Sequence, residues 1–354
     1  MAQYLCATKK KMKKTVKTLF ILIMLLSVLT SMTSCGEKSG GDNSDVLKMK
    51  YAHTNSTDSN SHRMALKFAE EVKKLSDGKM EVQILPQYSG ERDLIESVQR
   101  GDIEFTYTSA APLVSFVPEM AVFDVPFLFK SKDNIQDTIK NAFLVFDNQD
   151  VKDGTLGKMD SANIKGLGFW SKGFRVLATN KPIAKVEDLK GIKLRTMENS
   201  NHIDAWKALG ANPTPMAFNE VYTSLEQKTI DAQEQPFDVL ASNKFYEVET
   251  NATSINMIAD VCVFMGSKQF YESLNDEQRK IIEEASKNAI EFARNDALNG
   301  VNNDIKKLEE GGMKVSEFPA SEREKARALA KNVEENIRKQ VGDSLVDIFY
   351  NVQE

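Results

Sequence analysis

Cysteine and histidine are scarce: three of each in 354 residues. Cys6, Cys35 and Cys262 cannot make a disulfide framework, and His53, His62 and His202 leave little for a metal cluster. His53 and His62 are nine apart and His202 stands alone, so no ligand-like spacing surrounds any of them. There is no G-x-G-x-x-G, no G-x-x-x-x-G-K-[ST], no G-x-S-x-G and no H-E-x-x-H. These absences argue against the common dinucleotide, nucleotide, serine-hydrolase and zinc-protease designs. Positive charge is not in excess either. The net charge of −5 gives no footprint for nucleic acid. No apolar run reaches the roughly 20 residues of a bilayer span. What is present is ordinary for a globular chain, 41% hydrophobic and 27% charged, and the length suggests about two domains.

The amino terminus reads as an address. Residues 1–34 carry six lysines (9, 10, 11, 13, 14 and 17) and no acid. An apolar run, LFILIMLLSVL over 19–29, follows, then small polar residues lead to Cys35-Gly36. A charged start, a short apolar middle and small residues before a cut site predict a secretory signal. The MTSC of 32–35 resembles the lipobox of bacterial lipoproteins, with Met32 where leucine is usual. That resemblance implies cleavage before Cys35 and acylation of its thiol. Met12 is an alternative start, because Met12-Lys13-Lys14 already supplies a charged region. The GEKSGGDNSD of 36–45 reads as a flexible tether. The processed chain keeps 40 bases against 51 acids, a net charge of −11. Cys262, in the run VCVFM, reads as a small buried hydrophobe.

Beyond the tether the pattern alternates strand and helix. A strand at 49–52 is followed by a polar loop and a helix from about Ser61, with Met64, Phe68, Val72 and Leu75 on one face. A strand at 79–85, a helix at 91–100 closed by Gly101 and a strand at 103–108 complete βαβαβ, hence α/β with a largely parallel sheet. Pro112, Pro118 and Pro126 argue against long helices in the following stretch. A second series begins near Gly166. It has extended segments at 166–169, 174–179, 192–196 and 230–234, a helix at 199–209, and a short helix at 220–227 capped by Asn219. The apolar stretch 253–266 reads as one strand crossing back. From Asn275 no proline interrupts until Pro319. One helix over 275–310 would be about 54 Å long, so it either breaks near Asn299-Gly300 or runs as a spine across both halves. Sustained coiled-coil heptads are absent. Two such α/β lobes place a cleft between them, facing the carboxyl ends of their strands. Closure on a ligand is then a hinge motion.

Candidate binding residues lie at predicted strand ends. Arg195 closes the strand IKLRT, and a guanidinium there can hold a carboxylate by two parallel hydrogen bonds. Arg175 follows Gly173-Phe174 in another strand. Phe218 either packs on a ligand or staples the following helix. Gln235, before Pro236, offers its amide to a ligand or to the backbone.

At these residues the sequence resembles the solute-binding proteins of tripartite ATP-independent periplasmic (TRAP) transporters. The matching stretches are GFRVLATN at 173–180, DLKGIKLRTMEN at 188–199, ALGANPTPMAFNEVY at 208–222, IDAQEQP at 230–236 and KFYEV at 244–248. GERDLI at 90–95 and PEMAVFDVPFLF at 118–129 fit as well, and the likeness covers nearly everything after residue 48. It implies a two-lobed periplasmic-binding-protein-like fold, type II-like, with a long helix bridging the lobes. The corresponding division is a signal at 1–34, a tether at 35–47 and lobe I at 48–171 with 262–300 returning to it. Lobe II is then 172–261 with 301–320 returning to it, and 321–354 forms C-terminal helices. The resemblance also implies that Arg195 takes the ligand carboxylate, with Arg175 in support. Phe218 and Gln235 then line the cleft from one side, and His53, Asn55, Glu91 and Ser109 from the other. The family's usual DGQENP reads DAQEQP here, so Gln235 reaches one methylene further than the usual asparagine. A lipid anchor is also less usual than a free receptor.

The expected ligand is an organic acid, either a sugar acid or a C4-dicarboxylate. The expected partners are the TRAP membrane permease and, through Cys35, the membrane. No cofactor or nucleic acid is expected, and the receptor is expected to be monomeric and extracytoplasmic. Two other readings are a receptor feeding an ATP-driven importer and a secreted hydrolase; the latter needs a paired nucleophile and base in the cleft.

Overall fold

The computed structural model describes residues 46–130 and 134–353. The signal-like segment, the tether and Cys35 lie outside the described residues. The strands, in chain order, are β1 (Leu47–Ala52), β2 (Met80–Leu85), β3 (Phe105–Ser109), β4 (Ile164–Phe174), β5 (Val176–Thr179) and β6 (Lys193–Thr196). They continue with β7 (Asn212–Pro215), β8 (Ala232–Gln235), β9 (Asn251–Ser254), β10 (Ala259–Ser267) and β11 (Lys314–Glu317). They form two sheets, ordered β2-β1-β3-β10-β4 and β11-β9-β5-β8-β6-β7.

In the first sheet β1 runs parallel to both β2 and β3. The crossovers are the helices Asn60–Leu75 and Glu91–Arg100. Ser59 caps the first by accepting from the His62 amide, and Met64, Phe68 and Val72 bury its apolar face. Gly101, at φ 77°, ends the second in the left-handed conformation that glycine adopts without strain. β10 then pairs antiparallel with both β3 and β4. The parallel sheet expected from βαβαβ therefore acquires one antiparallel strand, β10, inserted between β3 and β4. The three prolines do exclude long helices, leaving a short helix Ala110–Leu113 and a 3-10 turn Pro118–Asp124.

The chain passes between the sheets at one hinge and along one helix. Arg175 alone separates β4, in the first sheet, from β5, in the second. Its amide donates to the Ile258 carbonyl at 2.9 Å. Ile258 lies on the return crossing, between β9 and β10. The stretch read as a single strand over 253–266 is thus two strands in different sheets. It reads as largely apolar across the crossing because Ile255, Met257 and Ile258 are themselves buried.

The third crossing is the helix Asp276–Glu310, 35 residues without a break, and at 1.5 Å per residue about 52 Å long. Asn275 and Gln278 form a capping box at its start. Ile282, Ala285, Ala289, Ile290 and Ala293 join the core of the first lobe, whereas Val301 and Leu308 join that of the second. This is the spine arrangement. The helices Ala320–Val341 and Asp343–Val352 close the chain, burying Ala326, Val333, Ile337, Leu345, Val346 and Phe349 in a shared core. The short helix expected at 220–227 begins earlier, at Phe218, with Ala217 rather than Asn219 in the cap position.

Candidate functional site

Four strands end on the same space. β1 and β3 deliver the loop carrying Thr54 and Asn55, and Ser109, while β6 and β8 deliver Arg195 and Gln235. These are carboxyl ends, where open α/β sheets bind their ligands. The cavity between them measures ≈ 20 Å³. Its first-lobe wall is Thr54, Asn55, Glu91, Ser109, Lys172 and Asp260, the last two on β4 and β10 of the first sheet although the expected division gave 172–261 to lobe II; its second-lobe wall is Arg195, Met197, Phe218, Gln235 and Val239, with Arg175 at the hinge. A wider recess of ≈ 330 Å³ adjoins it across Thr54 and Phe218, and Gln87, Tyr88, Tyr222 and Phe245 are among the residues around it.

Arg195 is 2% exposed. Its Nε and Nη2 donate to the Met216 carbonyl at 3.0 and 2.7 Å, which fixes the plane of the guanidinium. Its Nη1 is buried and has no hydrogen-bond partner among the described residues. Burial and the neighbouring Arg175 charge pull this guanidinium down to about 10, so it remains a cation at neutral pH. A buried, positively charged donor without an acceptor is costly unless something negative occupies the space in front of it.

Arg175 is built differently. Its Nε pairs with Glu234, Nη1 with Asp260 at 2.7 Å, and Nη2 with the Glu234 carbonyl at 2.6 Å and Gln235 Oε1 at 3.2 Å. Burial opposes its charge, but Glu234 and Asp260 outweigh burial and hold it above its ordinary value. Every guanidinium nitrogen of Arg175 is therefore engaged inside the protein. Lys172 meets the other Asp260 oxygen at 3.3 Å. Burial likewise opposes the Lys172 charge, and Asp260 overcomes it. Because Gln235 Oε1 accepts from Arg175, its Nε2 is the end left to donate.

Seven of the eight residues expected to line the cleft meet at this cavity: Arg195, Arg175, Phe218, Gln235, Asn55, Glu91 and Ser109. His53 does not line it. Its side chain is fully buried beneath the loop, with Nε2 at 3.0 Å from His62 Nδ1 and its ring against Tyr51 and Tyr107. Burial and the His62 charge push it down to about 3, so it stays neutral. Its carbonyl accepts from the Tyr88 amide, which ties the loop to the recess wall. Reading by residue type did not single out Lys172, Asp260, Glu234 or the Met216 carbonyl. Glu234 stood in plain view inside DAQEQP, but the other three act through pairings made only in the fold. Cys262 is fully buried with its thiol pushed up by burial, a packing residue beside Asp260.

Two α/β lobes on a double-strand hinge, with a cationic cleft at facing strand ends, define the solute-binding receptor class. The sequence model of bacterial extracellular solute-binding protein family 7 matches residues 51–340. The chain belongs to that family, and it is an extracytoplasmic receptor of the TRAP type. A solute-binding protein of Verminephrobacter eiseniae is 35% identical over 249 residues, which span 68% of this chain and 70% of the relative. Among solved structures, the sugar acid binding protein of Advenella mimigardefordensis, in complex with galactonate, superposes with a TM-score of 0.81 at 35% identity. It covers 86% of this chain and 97% of its own. A TRAP periplasmic solute-binding protein of Polaromonas, bound to D-erythronate, gives a TM-score of 0.79 at 32% identity, covering 87% and 98%. Family membership displaces the ATP-driven importer reading, and its members are receptors rather than hydrolases.

Proposed function

We propose that this receptor captures a small organic acid by seating its carboxylate on Arg195, closes over it, and hands it to a TRAP membrane permease. The observation that carries the reading is the partnerless Arg195 Nη1 in the cleft. With Nε and one Nη2 hydrogen spent on Met216, the Nη1/Nη2 edge remains for two parallel bonds to a carboxylate. The ligands of the Advenella and Polaromonas proteins, galactonate and D-erythronate, are acids of this kind. The processed chain is acidic overall, so attraction of an anion comes from this local, desolvated cation rather than from the long-range field. Arg175, Lys172, Glu234 and Asp260 form a rigid ionic floor behind the seat.

Arg195→Ala should cost about 2–5 kcal/mol of affinity, and Arg195→Lys should also weaken binding because the planar fork is lost. Calorimetry with galactonate and D-erythronate checks this; unchanged affinity in Arg195→Ala would remove Arg195 from the role. The same reading places the mature protein on the membrane as a monomer tethered through an acylated Cys35. Cys35→Ser in the full-length chain should then move the receptor from the membrane pellet to the soluble fraction. Persistence in the pellet would exclude this anchor.

A further inference from the structure

The charges around the cavity do not pair at random. Three cations line it: Lys172, Arg175 and Arg195. Asp260 takes both Lys172 and Arg175, and Glu234 takes Arg175 a second time. Those two cations and two carboxylates neutralise one another. Arg195 is left as the one lining cation with an open nitrogen among the described residues. The cleft therefore offers one carboxylate seat.

The opposite wall carries a carboxylate of its own. Glu91 stands at the first position of the helix Glu91–Arg100, and its Oε1 accepts the Ser109 amide at 2.7 Å. No hydrogen bond among the described residues uses its Oε2. A carboxylate accepts and does not donate, so it welcomes a hydroxyl and repels a second acid group. Gln235 Nε2 donates, Asn55 Oδ1 accepts because its Nδ2 is given to the Tyr107 hydroxyl, and the Ser109 hydroxyl does either. Mixed donors and acceptors suit groups that both give and take hydrogen bonds.

We propose that the cleft selects a polyhydroxylated monocarboxylate, of aldonate type, and rejects dicarboxylates of similar length, with Glu91 as the residue that discriminates. This rests on Arg195 as the carboxylate seat. A dicarboxylate placed there would bury its second charge without a cation and beside Glu91, whereas a hydroxylated tail would meet an acceptor. Discrimination by a repulsive group is a common route to specificity, because an attractive contact alone does not exclude the competitor.

The test is calorimetry on the full-length chain in mild detergent with D-galactonate, D-erythronate and succinate. The wild type should bind at least one sugar acid 100-fold or more tightly than succinate. Glu91→Gln keeps an oxygen for the Ser109 amide and should narrow that ratio at least tenfold, chiefly by admitting succinate. Succinate binding the wild type as tightly as the sugar acids, a ratio unmoved by Glu91→Gln, or no binding of any of the three overturns the proposal. The wild-type ratio decides alone if the variant does not fold. Arg195→Ala separates the two readings. If it abolishes binding of all ligands and the wild type prefers succinate, the seat stands and the discrimination falls; if it leaves affinity intact, the seat itself falls.

Discussion

Glu249 shows how one buried residue sets a pH limit on the second lobe. It is 1% exposed, accepts from Gln233 Nε2 at 2.7 Å, and leaves its Oε1 without a partner among the described residues. Burial pushes its carboxyl up to about 8 from 4.5. The acid is thus harder to ionise in the folded than in the unfolded chain. Stability from this group is full below about pH 4.5 and is lost as pH rises through 8, by about 4–5 kcal/mol. Glu249→Gln removes the ionisation and supplies an amide hydrogen to Gln233 Oε1, itself partnerless. The variant should gain most of that stability at pH 8 and almost none at pH 4.5. Denaturant titration at the two pH values checks it, and parallel pH slopes for variant and wild type would refute it. Legibility at this scale follows from what a side chain does alone. Arg195 and Gln235 could be placed because their types and strand-end positions suit a carboxylate and its neighbours, whereas Glu91, at the start of a helix, came only from the family resemblance. Glu249 and the Asp260 network could not, because their chemistry is created by burial and by residues distant in sequence. His53 was misplaced because the loop turns its ring into the core and brings Thr54 and Asn55 to the cleft.

Among the elements, the bridging helix was half legible. Its capping box and its freedom from proline marked the start and length. Whether it broke was undecided, because its inner face is largely alanine: 285, 289, 293 and 297. Alanine gives little periodic signal, yet it is what allows the helix to lie close to β4. Gly168 on β4 is the counterpart. It has φ 151°, and a Cβ there would sit 2.5 Å from Ile290 Cδ1. Gly168→Ala should therefore destabilise by about 2–4 kcal/mol, part overpacking and part backbone strain. Ile290→Val deletes the clashing methyl, so the double variant should recover the overpacking share and leave about 1 kcal/mol of strain. Additive losses in a double-mutant cycle would show that the helix does not rest on β4 at this point. The sheet change inside 253–266 was illegible for a related reason: a run buried at every position but Asn256 carries little mark of where it leaves one sheet for another.

For the whole molecule, the cavity volume fixes the order of events. A space of ≈ 20 Å³ is little more than the roughly 10–15 Å³ that a single water needs, so an organic acid enters only when the lobes part. The hinge is local, at Arg175 and Ile258, and the resistance to opening comes from contacts across the cleft. Asn60 opens the helix Asn60–Leu75 of the first lobe, and its amide donates to Asp238 Oδ1 of the second at 3.0 Å. That places a carboxylate on the positive end of a helix, a favourable alignment that exists only while the lobes are together. Ser56 Oγ to the Ser242 carbonyl, at 3.3 Å, and Asn199 Nδ2 to the Ala111 carbonyl, at 2.8 Å, add weaker ties. Asp238 does not line the ligand cavity, so Asp238→Ala tests closure separately from capture. Loss of a charge-assisted bond is worth about 1–2 kcal/mol, which lowers the closed population and the apparent affinity together. The ligand should leave about 5–30 times faster, with the association rate nearly unchanged because the open cleft is intact. Stopped-flow measurement of both rates distinguishes the cases. A slower association with an unaltered escape rate would mean that Asp238 shapes the open form and that the clasp does not hold the ligand in.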